Sequence, residues 1–287
     1  MAGATESGAG IRTFAGGVAL VTGGASGIGA ALGRELARRG AIVVLADRDG
    51  PEATAEAARI ASAGGRAEAA TLDVRDATAV AALVADVFAR HGRLDYLFGN
   101  AGIAVGGEQL DLRLEDWRDA VEVNLMGVVH GVQAAWPRMV EQGFGHLVNT
   151  GSMAAFFSAA MASPYGATKS AVLSLSRALR LEGAPHGVRV SALCPGVVRT
   201  PILDGGRHGR LQNFIPKATL MALNEQLRPM DPATFASRAL DDVARNRAVI
   251  VHPAWWRLLP LLHRLAPWLL DALLRREYAR MRALLGR

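Results

Sequence analysis

Three side chains in residues 150–169 have the types and the spacing that proton transfer needs. Ser152 precedes Tyr165 by thirteen residues, and Tyr165 precedes Lys169 by four. Residues four apart lie on one face of a helix, so we expect the phenol and the ammonium to be neighbours. Because the ordinary pKa of a tyrosine is about 10, the phenol needs a nearby positive charge to act as an acid or a base at neutral pH.

A lysine can supply that charge. At roughly 5 Å and an effective dielectric constant of about 20, it favours the phenolate by about 3 kcal/mol, or about two pKa units. Lys169 and Lys217 are the only lysines among 32 basic residues. The compact ammonium of a lysine fits a crowded site that would not admit the guanidinium of an arginine. The pattern YxxxK also occurs on ordinary helix surfaces, so its meaning depends on the rest of the chain.

The composition is that of a globular protein with a large core. The chain has 287 residues, of which 51% are hydrophobic, and one cysteine, Cys194. A single cysteine excludes an intramolecular disulfide and a cysteine-based metal cluster. Its apolar surroundings predict a buried thiol rather than a nucleophile. The seven histidines are scattered without metal-binding spacing, so we expect no metal site.

The first residues and the overall charge bear on location and partners. Residues 1–14 are small and polar and contain no apolar run of signal-peptide type, which predicts a flexible lead on a cytoplasmic protein. The net charge is +6, and basic surface attracts phosphate. The arginines are nevertheless spread along the chain among acidic residues, so we expect no nucleic-acid partner.

Short apolar runs alternate with helical stretches along most of the chain. Strands separated by helices of about 10 to 15 residues imply βαβ units and a parallel sheet covered on both faces. The pattern therefore predicts an α/β protein with a doubly wound parallel sheet of about seven strands. The predicted strands are residues 18–22, 41–47, 66–74, 94–100, 145–152, 188–196 and 248–253. The predicted helices are residues 30–39, 52–62, 77–91, 115–141 and the helix that carries Tyr165 and Lys169.

A glycine-rich loop follows the first predicted strand, with the pattern TGxxxGIG from Thr22 to Gly29. Glycines let the backbone turn sharply and approach a pyrophosphate, whose charge is met by amide groups at the start of the next helix. A plain strand-to-helix turn could use the same residues. Asp47, however, stands eighteen residues beyond Gly29 at the end of the next strand. A carboxylate there can hold both adenosine ribose hydroxyls, which predicts a dinucleotide site.

With these motifs the chain resembles the short-chain dehydrogenase/reductase family, classical type, over about residues 15–200. The resemblance implies a single-domain Rossmann fold and an NAD(P)-dependent oxidoreductase that interconverts a secondary alcohol and a ketone by hydride transfer. Gly99 departs from the family's usual NNAG, and the match in motif detail fades after about Thr200. In order, the matching motifs are TGxxxGIG at 22–29, Asp73 in LDV, NAG at 100–102, Asn124 in VNLMG, Ser152, YxxxK at 165–169, and Pro195-Gly196 through Thr200.

The resemblance assigns the catalytic roles. Tyr165 is the general acid in ketone reduction and the general base in alcohol oxidation. Lys169 lowers the pKa of Tyr165 and hydrogen-bonds the nicotinamide ribose, while Ser152 holds the substrate oxygen. Asn124 shapes the water chain that returns protons through Lys169, with a purely structural asparagine as the plainer alternative.

The resemblance also implies the cofactor site. Asp47 accepts from the ribose 2′-hydroxyl and repels a 2′-phosphate, which favours NAD. Arg48 would partly offset that repulsion, so NADP is the alternative. The expected cofactor-binding residues are Gly23, Ser26, Gly27, Ile28, Gly29, Asp47, Arg48, Asp73, Val74, Asn100, Ala101, Gly102, Tyr165, Lys169, Pro195, Gly196, Val198 and Thr200.

The substrate region is expected at about residues 201–230, an apolar lid on a catalytic domain that we place at residues 15–253. The lid favours a hydrophobic secondary alcohol or ketone, and a lid that merely packs on the domain is the alternative. The expected substrate contacts are Ser152, Met153, Phe157, Tyr165, Leu203 and Phe214.

Residues 254–287 form an extension whose apolar side chains must be covered. From Leu258 to Leu274 the leucines fill a wide arc of a predicted amphipathic helix, which prolines and charges interrupt too often for a transmembrane span. The arc would pack on its own subunit or on a neighbour in a homodimer or homotetramer. Alternatively, it lies on a membrane surface with its basic side chains toward lipid phosphates.

A different functional class is a nucleotide-sensing or membrane-surface-associated relative with little catalytic activity. A protein that only senses nucleotide would keep the glycine loop and lose the reacting groups, whereas membrane association is compatible with enzyme activity. All four expected catalytic residues are present in this chain, so the sequence favours an enzyme. They are Asn124, Ser152, Tyr165 and Lys169.

Overall fold

The apolar runs of the sequence form parallel strands at the centre of the molecule. The computed structural model describes residues 10–11, 13–157, 160–211 and 216–286, and nine strands lie within them. They are β1 (Val18–Thr22), β2 (Ile42–Asp47), β3 (Arg66–Thr71), β4 (Tyr96–Gly99), β5 (Val105–Gly106), β6 (Gly145–Thr150), β7 (Val188–Leu193), β8 (Arg210–Leu211) and β9 (Val249–Ile250). Seven of them form one sheet in the order β3, β2, β1, β4, β6, β7, β9, and each neighbouring pair is parallel.

Helices cover both faces of this sheet. In chain order the α-helices of the described residues are α1 (Gly27–Arg38), α2 (Gly50–Ser62), α3 (Ala77–His91), α4 (Leu114–Val121), α5 (Gly127–Gln142), α6 (Ser163–Gly183), α7 (Lys217–Gln226), α8 (Pro232–Ala244), α9 (Leu258–Leu265) and α10 (Pro267–Leu284). Buried side chains of α1, α2 and α8 pack on one face, and those of α3, α5 and α6 pack on the other. The predicted α/β class and the doubly wound parallel sheet of seven strands are therefore confirmed.

Local signals set some helix boundaries and miss others. Helix α3 begins after Asp76, whose carboxylate accepts a hydrogen bond from the Ala79 amide. The helix predicted over residues 115–141 is instead divided into α4 and α5 by a π-helical segment, Glu122–Met126. Such segments are rare and often mark functional sites. Asn124 lies in this one.

A second, two-stranded sheet is not predicted by the sequence. Strand β5 pairs in parallel with β8, so that Val105 lies opposite Arg210 and Gly106 opposite Leu211. Two residues in each strand are too few to show an alternating pattern. The pairing ties the segment after β4 to the beginning of the predicted lid.

The end of the predicted N-terminal lead is part of the core. Residues 1–9 and Arg12 lie outside the described residues. Phe14 is buried, its ring centroid is 5.2 Å from that of Tyr96, and the Arg39 guanidinium lies 5.4 Å from the Phe14 ring centroid. The chain is therefore fixed before β1 begins, because an aromatic ring at this point covers the sheet.

The C-terminal extension is helical, but it is not one helix from Leu258 to Leu274 as predicted. Helix α9 ends at Leu265, and α10 begins at Pro267. Ala266 between them has φ −143° and ψ 65°, because a residue before proline avoids the helical region. Within the described residues no helix has the length and apolar content to cross a membrane.

The extension packs on its own subunit only in part. Trp256 is buried in a hydrophobic cluster with Met153, Leu173 and Cys194, and Leu270 of α10 is also buried. Other large apolar side chains of the extension are exposed to solvent. They are Trp255, Leu258, Leu261, Leu265, Trp268, Leu269, Leu273 and Leu284.

The two adjacent tryptophans give a matched test of this packing. Trp256 is 8% exposed and Trp255 is 48% exposed. We expect Trp256→Ala to lower the free energy of unfolding by about 3 to 5 kcal/mol, because it empties a core site. Trp255→Ala should cost about 1 kcal/mol or less. Urea unfolding of both variants measures this difference, and equal losses would show that Trp256 is not part of the core.

Candidate active site

A cavity of about 720 Å³ lies at the carboxyl ends of the central strands. Its walls come from the segments that follow β1, β2, β3, β4, β6 and β7. In a parallel sheet these segments meet at one edge, so residues that are distant in sequence come together there. The volume lies in the range of small-molecule and cofactor pockets.

The glycine loop after β1 has a backbone that disfavours other residues. Gly23 and Gly27 have φ values of 66° and 54°, in the left-handed region. A Cβ atom on Gly23 would lie 2.9 Å from the Ala101 Cα, so two loops approach each other closely there. Gly29 does not line the cavity. A Cβ atom on Gly29 would collide with the Gly23 carbonyl, so Gly29 packs directly against the backbone of the glycine loop.

Asp47 holds the glycine loop at the end of β2. Its Oδ2 accepts from the Ala25 amide at 3.0 Å, and its Oδ1 accepts from the Asp49 amide at 3.0 Å. Both Asp47 and Arg48 line the cavity. The carboxylate therefore combines a structural role with a position at which a ligand could be bound.

The loops after β3 and β4 are also fixed by side-chain hydrogen bonds. Asp73 pairs with Arg75, and this contact, with a smaller contribution from Arg48, lowers the pKa of the Asp73 carboxyl. The Asn100 amide donates to Thr22 Oγ1 at 2.9 Å, and Asn100 Nδ2 donates to the Thr22 carbonyl at 3.0 Å. The last residue of β1 therefore holds the segment Asn100-Ala101-Gly102 in place.

Helix α6 carries the tyrosine and the lysine on one face, as their spacing predicts. Lys169 is buried, and its Nζ donates to the Thr150 carbonyl at 2.9 Å. The same nitrogen lies 5.7 Å from the ring centroid of Tyr165. Both side chains line the cavity.

Burial dominates the electrostatics of this pair. Burial raises the pKa of Tyr165 above its ordinary value, and a hydrogen bond with Ser152 acts in the opposite direction. Burial also lowers the pKa of Lys169 to about 8. The net shift of the Tyr165 pKa in the protein alone is therefore upward, and the expected lowering by Lys169 stays a prediction. Loss of solvation of the phenolate dominates, and the ammonium is hydrogen-bonded to Thr150.

Ser152 lies between the end of β6 and the tyrosine. It follows Gly151, and its Oγ accepts from the Ala154 amide at 3.2 Å in the short 3₁₀ turn Met153–Ala155. The hydroxyl also hydrogen-bonds Tyr165. Two oxygens that can bind one substrate oxygen therefore lie side by side in the cavity.

Asn124 is fully buried and does not line the cavity, whereas Ile103, to whose backbone it is hydrogen-bonded, does. Its Oδ1 accepts from the Ile103 amide at 2.8 Å, and its Nδ2 donates to the Ile103 carbonyl at 3.1 Å and to Thr168 Oγ1 at 3.3 Å. Asn124 thus holds the loop after β4 against α6, one residue from Lys169. These contacts support a structural role for Asn124. Its part in shaping the water chain that returns protons through Lys169 stays a prediction.

The predicted substrate contacts are only partly brought together. Ser152, Tyr165 and Leu203 line the cavity. Met153 and Phe157 do not line it: Met153 is buried in the hydrophobic cluster around Trp256, and Phe157 packs against that cluster. Their part in substrate binding stays a prediction. Phe214 lies outside the described residues.

Of the predicted cofactor residues, all except Gly29 line the cavity. Several other lining residues were not predicted. They include Ile103, Val105, Met161 and Met281, whereas the lining residues Ile202, His208, Leu211 and Asn224 lie within residues 201–230, where the substrate region is expected. Sequence proximity to Ser152 or Tyr165 could have suggested Met161. No pattern in the sequence could have placed Met281 there, since it follows Tyr165 by more than a hundred residues.

The remaining chemical predictions concern Cys194 and metals. Cys194 is buried as predicted, and burial raises the pKa of its thiol to about 12. The thiol therefore stays protonated at neutral pH and is a poor nucleophile. Within the described part of the chain, no group of three or more metal-ligating side chains is present.

Comparison with known proteins identifies relatives of the whole central region. The family model described as short chain dehydrogenase matches residues 17–210. A 1-deoxy-11-beta-hydroxypentalenate dehydrogenase from Streptomyces exfoliatus is 42% identical over 190 residues, which cover 65% of this chain and 69% of that protein.

Two further proteins extend the similarity. The protein named "Probable oxidoreductase EphD" from Mycobacterium tuberculosis is 41% identical over 259 residues, or 79% of this chain, and the match spans only 44% of that longer protein. A solved short-chain dehydrogenase/reductase from Burkholderia phymatum, in complex with NAD, is similar with a TM-score of 0.78 and 31% identity. That similarity covers 88% of this chain and 95% of the solved one.

Proposed function

Because the chain belongs to the short-chain dehydrogenase family, we propose that it interconverts a hydrophobic secondary alcohol and the corresponding ketone. It is an oxidoreductase of CH–OH groups that uses NAD(P). The observation that carries the proposal is the meeting of Ser152, Tyr165 and Lys169 in the cavity that the glycine loop also borders. We place the catalytic domain at residues 15–253.

The residues around the cavity fit a nicotinamide dinucleotide. Gly23 and Gly27 have left-handed backbone conformations, and a Cβ atom on Gly102 would lie 3.3 Å from Lys169 Nζ. Small residues at such points leave room for a ligand to approach the backbone. The residues that would hold the cofactor are Gly23, Ser26, Gly27, Ile28, Asp47, Arg48, Asp73, Val74, Asn100, Ala101, Gly102, Lys169, Pro195, Gly196, Val198 and Thr200. When bound, the nicotinamide accepts the hydride in oxidation and gives it in reduction.

The protein's own residues would move the proton and hold the substrate. The Tyr165 oxygen takes the hydroxyl proton of the alcohol in oxidation, and it gives a proton to the carbonyl oxygen in reduction. Ser152 donates a hydrogen bond to the same substrate oxygen and orients it. The positive charge of Lys169 favours loss of the Tyr165 proton and opposes the effect of burial.

We favour NAD as the cofactor. Asp47 places a carboxylate at the end of β2, where it would accept from the ribose and repel a 2′-phosphate. Arg48 and His208 also line this end of the cavity, so NADP remains the competing cofactor.

Apolar side chains support a hydrophobic substrate. Val105, Met161, Ile202, Leu203 and Leu211 all line the cavity. Apolar walls with few polar groups bind apolar ligands and orient them through those few groups. The name of the Streptomyces exfoliatus relative, a hydroxypentalenate dehydrogenase, agrees with a substrate that bears a hydroxyl group.

We also propose that the outward face of α10 lies on an anionic membrane surface. Trp268, Leu269 and Leu273 are exposed there, and Arg276 and Arg280 project from the same side of an ideal helix. Arginines among leucines would repel an identical face on a second copy, but they attract lipid phosphates. A cytoplasmic homodimer or homotetramer stays our proposal for the assembly, formed through other surfaces.

Removal of the phenol tests the proposed acid and base. Tyr165→Phe should lower kcat by at least about 100-fold, because it deletes the proton donor and leaves the cofactor site intact. NADH binding should be nearly unchanged. Tyr96→Phe is the matched control, since Tyr96 is buried in the core and should keep its activity. Substantial turnover by Tyr165→Phe on a good substrate would contradict the mechanism.

The cofactor preference is tested by the ratio of kcat/KM for NAD and NADP. Because Asp47 also accepts hydrogen bonds from the Ala25 and Asp49 amides, Asp47→Ala should weaken the binding of both cofactors. It should also lower the preference for NAD over NADP, measured as the ratio of their kcat/KM values, by about 10-fold. Asp47→Asn removes the charge and keeps one of the two acceptor oxygens, so it should narrow the ratio with a smaller loss of loop support than Asp47→Ala. A wild-type enzyme that prefers NADP would show that Arg48 outweighs Asp47.

Vesicle co-sedimentation tests the membrane-surface proposal. The full chain should bind vesicles that contain phosphatidylglycerol and should not bind pure phosphatidylcholine vesicles. The double variant Leu269→Ser, Leu273→Ser should lose this binding. Leu110→Ser is the control, because Leu110 is 93% exposed elsewhere on the surface. If the wild type binds neither vesicle and light scattering shows that the double variant dissociates, the face joins two copies of the chain.

A further inference from the structure

We propose that Met281, on the C-terminal helix α10, is a specificity-determining residue that limits the size of the substrate. The inference rests on the proposed function. Met281 lines the same cavity as Ser152 and Tyr165, although it lies in the extension beyond the catalytic domain. An element outside the domain therefore completes the wall of the site.

A buried carboxylate fixes α10 in this position. Glu108 is 8% exposed. Its Oε1 accepts a hydrogen bond from the Tyr278 hydroxyl at 2.7 Å and forms an ion pair with Arg282, whose Nε is 3.1 Å away. Buried carboxylates that accept charge-assisted hydrogen bonds are costly to release. Tyr278 and Arg282 are four residues apart on one side of the helix, and Met281, three residues after Tyr278, is a neighbour of Tyr278 on the helix surface. The contacts therefore fix the helical turn that carries the methionine.

The anchoring point is close to the proposed reaction centre. Glu108 follows β5, and both residues of β5 line the cavity. The Gly107 amide donates to the Met161 carbonyl at 2.9 Å. Met161 also lines the cavity and precedes Tyr165 by four residues. Helix α10 is thus tied to the segment beside Tyr165, away from Asp47 at the other end of the cavity.

One exposed side chain of α10 reaches the lid. Arg280 contacts Gln226 at the end of α7, with Nη2 3.5 Å from Oε1, and Asn224 of α7 lines the cavity. Helix α10 therefore bridges the β5 segment and α7. A methionine in such a bridge presents an unbranched, polarizable side chain, which suits apolar ligands of varied shape. Its length sets how far a bulky ring can extend.

Substitutions that change only the volume at this position test the inference. The substrates are a series of cyclic ketones of increasing size, from cyclohexanone to 2-tetralone and 2-decalone, with NADH. We expect Met281→Trp to lower kcat/KM for the bicyclic ketones more than 10-fold, mainly through KM, and to change it for cyclohexanone less than 2-fold. Met281→Ala should shift the preference toward the larger ketones.

Met221→Ala and Met221→Trp are the matched controls, because Met221 lies on α7, is half-exposed and does not line the cavity. They should leave the size preference unchanged. Equal effects of the Met281 variants on every ketone, or the same shift in the Met221 variants, would overturn the inference. A wild-type enzyme that reduces no ketone of the series would instead contradict the proposed function, and this inference with it.

Thiol labelling gives a second measurement. Cys194 is buried with its pKa raised to about 12, so Met281→Cys should introduce the one thiol that reacts readily with N-phenylmaleimide. The labelled variant should lose turnover of the bicyclic ketones and keep NADH binding. Ala283→Cys, on the exposed side of α10, should be labelled without loss of turnover. Full activity of labelled Met281→Cys on 2-decalone would overturn the inference.

Discussion

The burial of the Lys169 ammonium is the constraint on which the rest of the site depends. Its Nζ donates to the Thr150 carbonyl at 2.9 Å, and burial lowers its pKa to about 8. This pKa lies below the ordinary lysine pKa of 10.5 in an unfolded chain, so the buried charge destabilises the folded state below about pH 8. This destabilisation disappears as the pH rises from about 8 toward 10.5. A protein that keeps such a group accepts that cost in exchange for a positive charge beside Tyr165.

The other polar contacts hold loops around that charge. Asn124 clamps Ile103, Thr22 holds Asn100, and Asp47 holds the glycine loop. In each case a side chain at or near an element's end binds the backbone of a neighbouring segment. The walls of the cavity are thereby preorganised, which reduces the entropy that binding and reaction would otherwise cost. At the far end, Glu108 fixes the C-terminal helix in the same way.

Local patterns allowed most of the fold and site to be predicted, and long-range packing accounts for the rest. Strands such as β1 are continuous apolar runs, and Tyr165 and Lys169 are one helical turn apart. Local patterns did not reveal that Met153, in the 3₁₀ turn after Ser152, is buried in the core. The pKa of Tyr165 depends on burial, which spacing does not reveal. Met281 reaches the cavity only through the break before Pro267 and the contacts of Glu108.

NMR titration of the Lys169 Cε resonance in the full chain tests most directly whether this lysine is buried yet protonated at neutral pH. The chain has only two lysines, so Lys217→Arg leaves a single signal and assigns it. The midpoint is predicted at about pH 8, with the positive charge present below it and lost as the pH rises through it. A midpoint near the ordinary value of 10.5 would show a solvated lysine and contradict the proposed arrangement of the site.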